Sequence, residues 1–257
     1  MTNWYSLPTY YDISFSHEMY EELAFLKRVF RKYSTKSSLN LLEPACGTGR
    51  LIVPLSKHGF RCTGFDINSY ALKYLEEKLK RNKLKATLFA GDMVDFSTKY
   101  RMFDGAYCTV DTFRHLLSEE QAKQHLLNVA KGLKKNGIYV IGLHLLPKQG
   151  ITTKVSRWVS KRGRLTVKTS MTLIGQDNKK RTETLKVVLN PFTKKENNKY
   201  ESIYRLRTYT LRQFRRLIST TKVFEIDSVY DYDYDLTSPV VLDEKSDYGV
   251  FILRKMG

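Results

Sequence analysis

Cysteine and proline are scarce, at three and six among 257 residues. Cys46, Cys62 and Cys108 are odd in number and include no C-x-x-C pair. That excludes a disulfide framework and a zinc ribbon, and it fits a reducing, cytoplasmic setting. Met1 to Asp12 lacks a basic start followed by an apolar core, and the longest apolar run, around Ile138 to Leu146, is too short to span a bilayer. Neither a leader nor a membrane span is therefore expected. No set of His, Cys, Asp and Glu has metal-ligand spacing, so no metal is expected. Internal repeats and low-complexity linkers are also missing, which leaves one domain over residues 1–257 as the expectation.

What is present suffices for a packed core, with 42% hydrophobic and 27% charged residues. Lys and Arg number 44 against 26 Asp and Glu, a net charge of +18. Most of the excess lies in one place: Lys148 to Lys222 holds 20 basic and 4 acidic residues, a net +16. Such a patch suits nucleic acid, an anionic membrane surface or an acidic small molecule, and it equally suits a solvated face.

Periodicity predicts a helix over Glu18–Tyr33, with Met19, Leu23, Leu26, Val29 and Phe30 on one face. Strand and helix then alternate. Strands are predicted at Leu39–Leu42, Arg61–Phe65, Ala86–Phe89, Gly105–Thr109 and Ile138–Leu143, and helices at Arg50–His58, Tyr70–Arg81 and Glu119–Leu133, with a turn at Lys135-Asn136-Gly137. This is the signature of a mostly parallel sheet covered on both faces. After Pro147 the runs Leu165–Leu173, Thr182–Leu189 and Tyr200–Thr208 read as antiparallel strands, an inserted β subdomain over 148–209. A helix at Leu211–Ile218 and strands at Val223–Tyr230 and Val250–Arg254 complete the pattern.

The segment Leu41-Leu42-Glu43-Pro44-Ala45-Cys46-Gly47-Thr48-Gly49-Arg50 leaves a strand, turns through two glycines and enters a helix. Ligands of open α/β sheets bind at such strand ends. Asp66 ends the next strand, seventeen residues after Gly49, where a carboxylate can accept both hydroxyls of a ribose. A dinucleotide loop favours a third glycine where Ile52 stands, and a P-loop needs the Gly-Lys-Ser/Thr that is missing here. Glu43 suits an amino group better than a pyrophosphate. Asp92, in Gly91-Asp92-Met93, can pair with the amino group of an adenine. An adenosine with an amino-acid end and no phosphates meets all three acidic points.

On these residues the chain resembles the class I S-adenosylmethionine-dependent methyltransferases, through Glu43 to Arg50, Gly64-Phe65-Asp66-Ile67, Gly91-Asp92-Met93, Phe103-Asp104-Gly105-Ala106-Tyr107 and Leu133 to Ile138. The resemblance covers Leu39 to about Leu146. It implies an α/β fold with a seven-stranded Rossmann-like sheet, the last strand antiparallel, and an antiparallel β insertion after the fifth strand. S-adenosyl-L-methionine is the implied cofactor, with Tyr11, Glu43, Ala45, Cys46, Gly47, Thr48, Gly49, Asp66, Ile67, Asp92, Met93, Thr109 and Val110 around it. Asp111 to Leu116 looks like the loop that the glycine N-methyltransferase-like group places beside the transferring methyl. The Asn/Asp-Pro-Pro-Tyr/Phe motif of many base-modifying relatives is not here; Tyr107 to Asp111 stands in its place.

Two histidines are candidates for handling a substrate proton, His115 and His144, each with a plain structural role as the alternative. His17, His58 and His125 sit in helical or surface patterns, and Cys46 reads as a packing residue. Tyr10 and Tyr11 precede the first predicted helix and either fold over the cofactor or anchor the chain. The run Asp231-Tyr232-Asp233-Tyr234-Asp235 reads as a solvated loop, with a substrate-ammonium site as its second reading. Three functions follow. The first is methyl transfer to the N or O of a small molecule, with the insertion as a lid or homodimer surface. The second is a methyltransferase that acts on RNA or another polyanion through the basic insertion, and the third a nonenzymatic binder built on the cofactor fold.

Overall fold

The computed structural model describes residues 4–15, 20–34, 38–97, 102–150, 155–193 and 197–257. His17 and Met19 lie outside these residues. The first half of the chain runs α1 (Pro8–Phe15), α2 (Tyr20–Lys32), β1 (Asn40–Pro44), α3 (Ile52–Lys57), β2 (Arg61–Asp66), α4 (Ser69–Arg81), β3 (Thr87–Ala90) and β4 (Phe103–Cys108). There follow α5 (Glu119–Gly132), β5 (Leu133–His144), β6 (Val155–Arg162), β7 (Leu165–Asp177), β8 (Thr182–Phe192), β9 (Tyr200–Arg207), α6 (Leu211–Thr221), β10 (Phe224–Tyr230) and β11 (Tyr248–Lys255).

Seven strands form one sheet in the order β3-β2-β1-β4-β5-β11-β10. Pairing is parallel from β3 to β5, and β11 runs antiparallel to both β5 and β10. Side-chain alternation sends Leu41, Tyr107, Val140 and Ile252 to one face, where Phe25, Leu26, Leu55 and Leu75 of α2, α3 and α4 cover them. Leu42, Tyr139, Ile141 and Phe251 go to the other, under Leu126 and Val129 of α5 and Phe214 and Leu217 of α6. The sheet is thus buried on both faces, as its apolar runs predict. Asn68, Ser118 and Thr210 cap α4, α5 and α6 by accepting hydrogen bonds from first-turn N–H groups.

The second sheet is antiparallel, in the order β6-β7-β8-β9, and is inserted between β5 and α6. Its inner face carries Val167, Val187 and Leu189 against Trp4 and Ile13.

Two local expectations change. The turn predicted at Lys135-Asn136-Gly137 lies within β5, where Asn136 takes φ 60 beside an irregular register between β4 and β5. Asn tolerates that left-handed conformation, so the chain kinks without ending the strand. Tyr10 and Tyr11 do not lead into the first helix but belong to a helix of their own, α1. Its aromatic-rich face packs on the second sheet, which local periodicity does not reveal.

Candidate active site

The loops that follow β1 to β5 leave the large sheet along one edge, at the carboxyl ends of its parallel strands. After β1 the chain turns through left-handed residues Ala45 (φ 50), Gly47 (φ 51) and Gly49 (φ 71). A Cβ on Gly49 would lie 2.1 Å from Leu75 Cδ1 of α4, so the close packing of loop on helix requires glycine there. Cys46 is buried, and its N–H donates to the Phe65 carbonyl at 2.9 Å, tying the loop to β2.

Asp66, the last residue of β2, accepts hydrogen bonds from the N–H of Gly47 at 2.7 Å and of Asn68 at 2.8 Å. Burial raises its pKa against the pull of those donors. Glu43 on β1 accepts from the Tyr107 hydroxyl at 2.9 Å, and burial pushes its carboxyl up to about 8. An ammonium group placed beside it would restore the charge. Arg50 forms a two-pronged pair with Glu22 of α2; burial disfavours its charge, but Glu22 holds the guanidinium above its usual range. Thr48, between the glycines, buries a hydroxyl with no partner among the described residues.

The predicted adenine end is more open. Ile67 is 75% exposed. Asp92 lies just past β3, exposed, with Oδ1 accepting the Val94 N–H at 2.7 Å. Met93 is buried, and its carbonyl accepts from His125 Nδ1 at 2.8 Å. A carbonyl only accepts, so the proton sits on Nδ1 and Nε2 accepts the Tyr139 hydroxyl at 2.7 Å. His125, read from the sequence as a helical or surface residue, is a fully buried core histidine whose pKa burial pushes down to about 4.

Past β4, Thr109 is buried, Val110 (φ 53) is 39% exposed and Asp111 (φ 65) follows. Two successive left-handed residues without glycine mark a strained loop. Asp111 accepts from the His144 N–H at 2.8 Å and from His144 Nδ1 at 2.7 Å, and it pairs with Arg114 at 3.1 Å. Burial opposes ionisation of Asp111, yet Arg114 and His144 hold its carboxyl well below the usual range. In return Asp111 outweighs burial and raises the His144 pKa. The His144 side chain is 52% exposed.

His115 differs from His144. Its ring stacks on Tyr204 at 5.8 Å, and its Nε2 lies 3.1 Å from the Tyr5 hydroxyl. Enclosure pushes its pKa down to about 4. Tyr11 packs against Trp4 and Phe15 in the same aromatic group, and burial pushes its phenol up to about 12.

Residues that sequence reasoning missed hold this group in place. Asp12 of α1 is buried and binds Lys78 of α4 at 2.7 Å, Arg162 of β6 at 2.7 Å and the Tyr74 hydroxyl at 3.0 Å. Burial opposes its charge, but the two cations hold its carboxyl below the usual range. Asn68 donates to the Tyr5 carbonyl, and the Trp4 N–H donates to Ser202 Oγ of β9. The segment 4–15 therefore bridges the large sheet's strand ends and the second sheet. An acidic residue within the apolar stretch from Tyr10 to Phe15 was the available signal.

A cavity of about 500 Å³ opens beside the loops, lined by Phe15, Glu21, Glu22, Arg50, Val110, Tyr232, Asp233 and Tyr234. A larger one, about 830 Å³, lies at the opposite end of the sheet near Arg61 and Lys85, away from these residues. No group of three metal-ligating side chains occurs among the described residues, and none of the described helices is long and apolar enough to cross a membrane.

This arrangement is the class I S-adenosylmethionine-dependent methyltransferase fold, and residues 41–137 match the family model of a methyltransferase domain. Over 121 residues it is 26% identical to a putative methyltransferase of Geobacillus sp., covering 47% of this chain and 49% of the relative. The chain spans about half the length of the curated relatives it matches. Solved structures match over much more. An S-adenosylmethionine-dependent methyltransferase of Clostridium acetobutylicum superposes with a TM-score of 0.77 at 16% identity, over 92% of both chains. CalS10, an amino pentose methyltransferase of Micromonospora echinaspora solved with S-adenosylmethionine bound, gives 0.70 at 16% identity, over 92% and 91%.

Proposed function

We propose that this chain transfers a methyl group from S-adenosylmethionine to the N or O of a small-molecule acceptor. The observation that carries the reading is the order of three carboxylates, Glu43, Asp66 and Asp92, at or just past the ends of three strands adjacent in the sheet. Glu43 takes the ammonium of the methionine end, and Asp66 takes the ribose hydroxyls with its remaining lone pairs. Ile67 and Met93 flank the adenine, whose amino group meets Asp92. Ala45, Cys46, Gly47, Thr48 and Gly49 shape the loop beneath, Thr109 and Val110 wall the far side, and Tyr11 covers the cleft from α1.

When bound, the cofactor supplies a sulfonium-activated methyl: the acceptor's lone pair forms the new bond, while the carbon–sulfur bond breaks with its electrons left on sulfur. The chain's own work is to align the acceptor, exclude water and take a proton where the nucleophile carries one. His144, oriented by Asp111, serves as proton acceptor through Nε2. His115, neutral in its aromatic enclosure, orients the acceptor. The second sheet and α1 together form the cover of the cleft. The structural match to an amino pentose methyltransferase supports a small-molecule acceptor over a polyanion.

Titration calorimetry of the purified protein with S-adenosylmethionine and S-adenosylhomocysteine tests the reading. Saturable binding of both is expected; no heat at millimolar ligand with folded protein refutes it.

A further inference from the structure

We propose that the cavity beside Val110 selects a cationic amine as the methyl acceptor, in preference to a neutral or anionic molecule. The inference rests on the methyltransferase reading and names the acceptor class for that site.

The charges of the lining are the first observation. Arg50 is the single cation among the described lining residues, and Glu22 pairs with it through both prongs. Glu21 and Asp233 remain, two carboxylates facing one cavity in a chain of net charge +18. Glu21 lies in the first turn of α2, where an acidic residue also complements the helix dipole. Asp233 sits in the loop after β10 and has no such explanation.

The second observation is the wall chemistry. Phe15, Tyr232 and Tyr234 present aromatic rings, Tyr232 is 52% exposed, and Val110 adds aliphatic surface. Aromatic faces attract a cation, and together with the carboxylates of Glu21 and Asp233 they favour an ammonium over an alcohol of the same shape. A phosphate or carboxylate at this position would meet Glu21 and Asp233 as like charges.

The third observation concerns the proton. An ammonium carries no lone pair and must lose a proton before it accepts a methyl group. The Tyr232 ring lies 4.9 Å from Tyr248, whose ring lies 5.0 Å from His144. Asp111, the partner of His144, directly follows Val110 on the cavity wall. His144 does not itself line the cavity, so the proton crosses to its neutral ring through solvent water, which the 52% exposed side chain meets.

The test is binding, read without turnover. Protein saturated with S-adenosylhomocysteine is titrated with 2-phenylethylamine and with its neutral and anionic counterparts, 2-phenylethanol and 3-phenylpropanoate. The amine should bind about tenfold more tightly than the alcohol, with the carboxylate weakest. Asp233→Asn and Glu21→Gln should each reduce that preference and leave S-adenosylhomocysteine binding unchanged. Equal or weaker binding of the amine, binding of none of the three, or a preference that survives both substitutions overturns the proposal. Failure to bind S-adenosylhomocysteine in the first place would instead sink the methyltransferase reading.

Discussion

The two sheets place their informative residues differently. In the large sheet both faces are buried under helices, and the chemistry is confined to strand ends: Glu43 on β1, Asp66 on β2, Asp92 after β3, Thr109 to Asp111 after β4, and His144 on β5. In the small sheet it is the faces that differ. Val167, Val187 and Leu189 point inward, while the alternate positions Arg157, Lys161, Lys168, Lys186 and Arg205 point away from α1. These five of the segment's twenty cations therefore face away from the cleft, and Arg162, on the inward parity, is held by Asp12. A charge total says little about function until the faces are known.

Arg114 joins the two regions, and its removal should have the largest effect. It is buried, it pairs with Asp111 and with Glu183 of β8, and its Nε donates to the Arg207 carbonyl at 2.9 Å. Arg114→Ala strands two carboxylates, so urea denaturation should show a loss of about 3 to 5 kcal/mol. A loss below about 1 kcal/mol would mean that packing alone couples the sheets.

Next comes the end of β2. Asp66→Ala should weaken S-adenosylhomocysteine binding by about 1 to 3 kcal/mol, the range for loss of a charged acceptor, in a protein that stays folded with a lower urea midpoint, because the Gly47 and Asn68 N–H groups lose their acceptor. An unaltered dissociation constant would remove Asp66 from the ribose.

A smaller, pH-dependent effect belongs to His144, which faces Asp111, Arg114, Asp247 and Tyr248. Its raised pKa gives two opposite trends. With His144 as the proposed proton acceptor, only its neutral ring is active, so methyl transfer should rise with pH through that pKa and then level off. The stability that His144 gains from Asp111 is fully present below its unfolded pKa and is lost as pH rises through the folded one. Asp111→Asn should move the kinetic midpoint downward. An unmoved midpoint would show that another group sets the profile.

The smallest effect should follow from reversing charge on the outward face. Arg157→Glu, Lys161→Glu and Lys168→Glu together should leave cofactor binding and small-molecule methylation unchanged, while any binding to RNA, already steeply salt-dependent, disappears. Labelling with radioactive cofactor of metabolite extract and of total RNA decides the matter: loss confined to the RNA fraction would favour the polyanion reading.

Much of this was legible beforehand. Each strand of the large sheet lies where the sequence predicts it, and in the central strands β1, β4, β5 and β11 burial on both faces makes the apolar runs nearly continuous. Less visible was whatever depends on contacts between distant segments. The strand Val155–Arg162 escaped notice because its exposed face carries Arg157 and Lys161 while its inner face offers Trp158 and Ser160, an alternation with little apolar signal. The helix Pro8–Phe15 was hidden because its stabilising partners lie on β6, β7 and α4. Asp111 stood in a quoted motif, but its hold on His144 spans 33 residues.

The position of β11 governs how this molecule can be made. Residues 248–255 lie between β5 and β10 and bond to both, and Val250 to Leu253 are fully buried. On the ribosome, the edge of β5 from Ile138 to Leu143 waits about a hundred residues of synthesis for its neighbour, roughly 5 to 20 seconds at ordinary elongation rates. During that interval an apolar strand edge stands open to other nascent chains. The late strand thus makes the interval between the two syntheses, rather than the finished fold, the period in which aggregation threatens most.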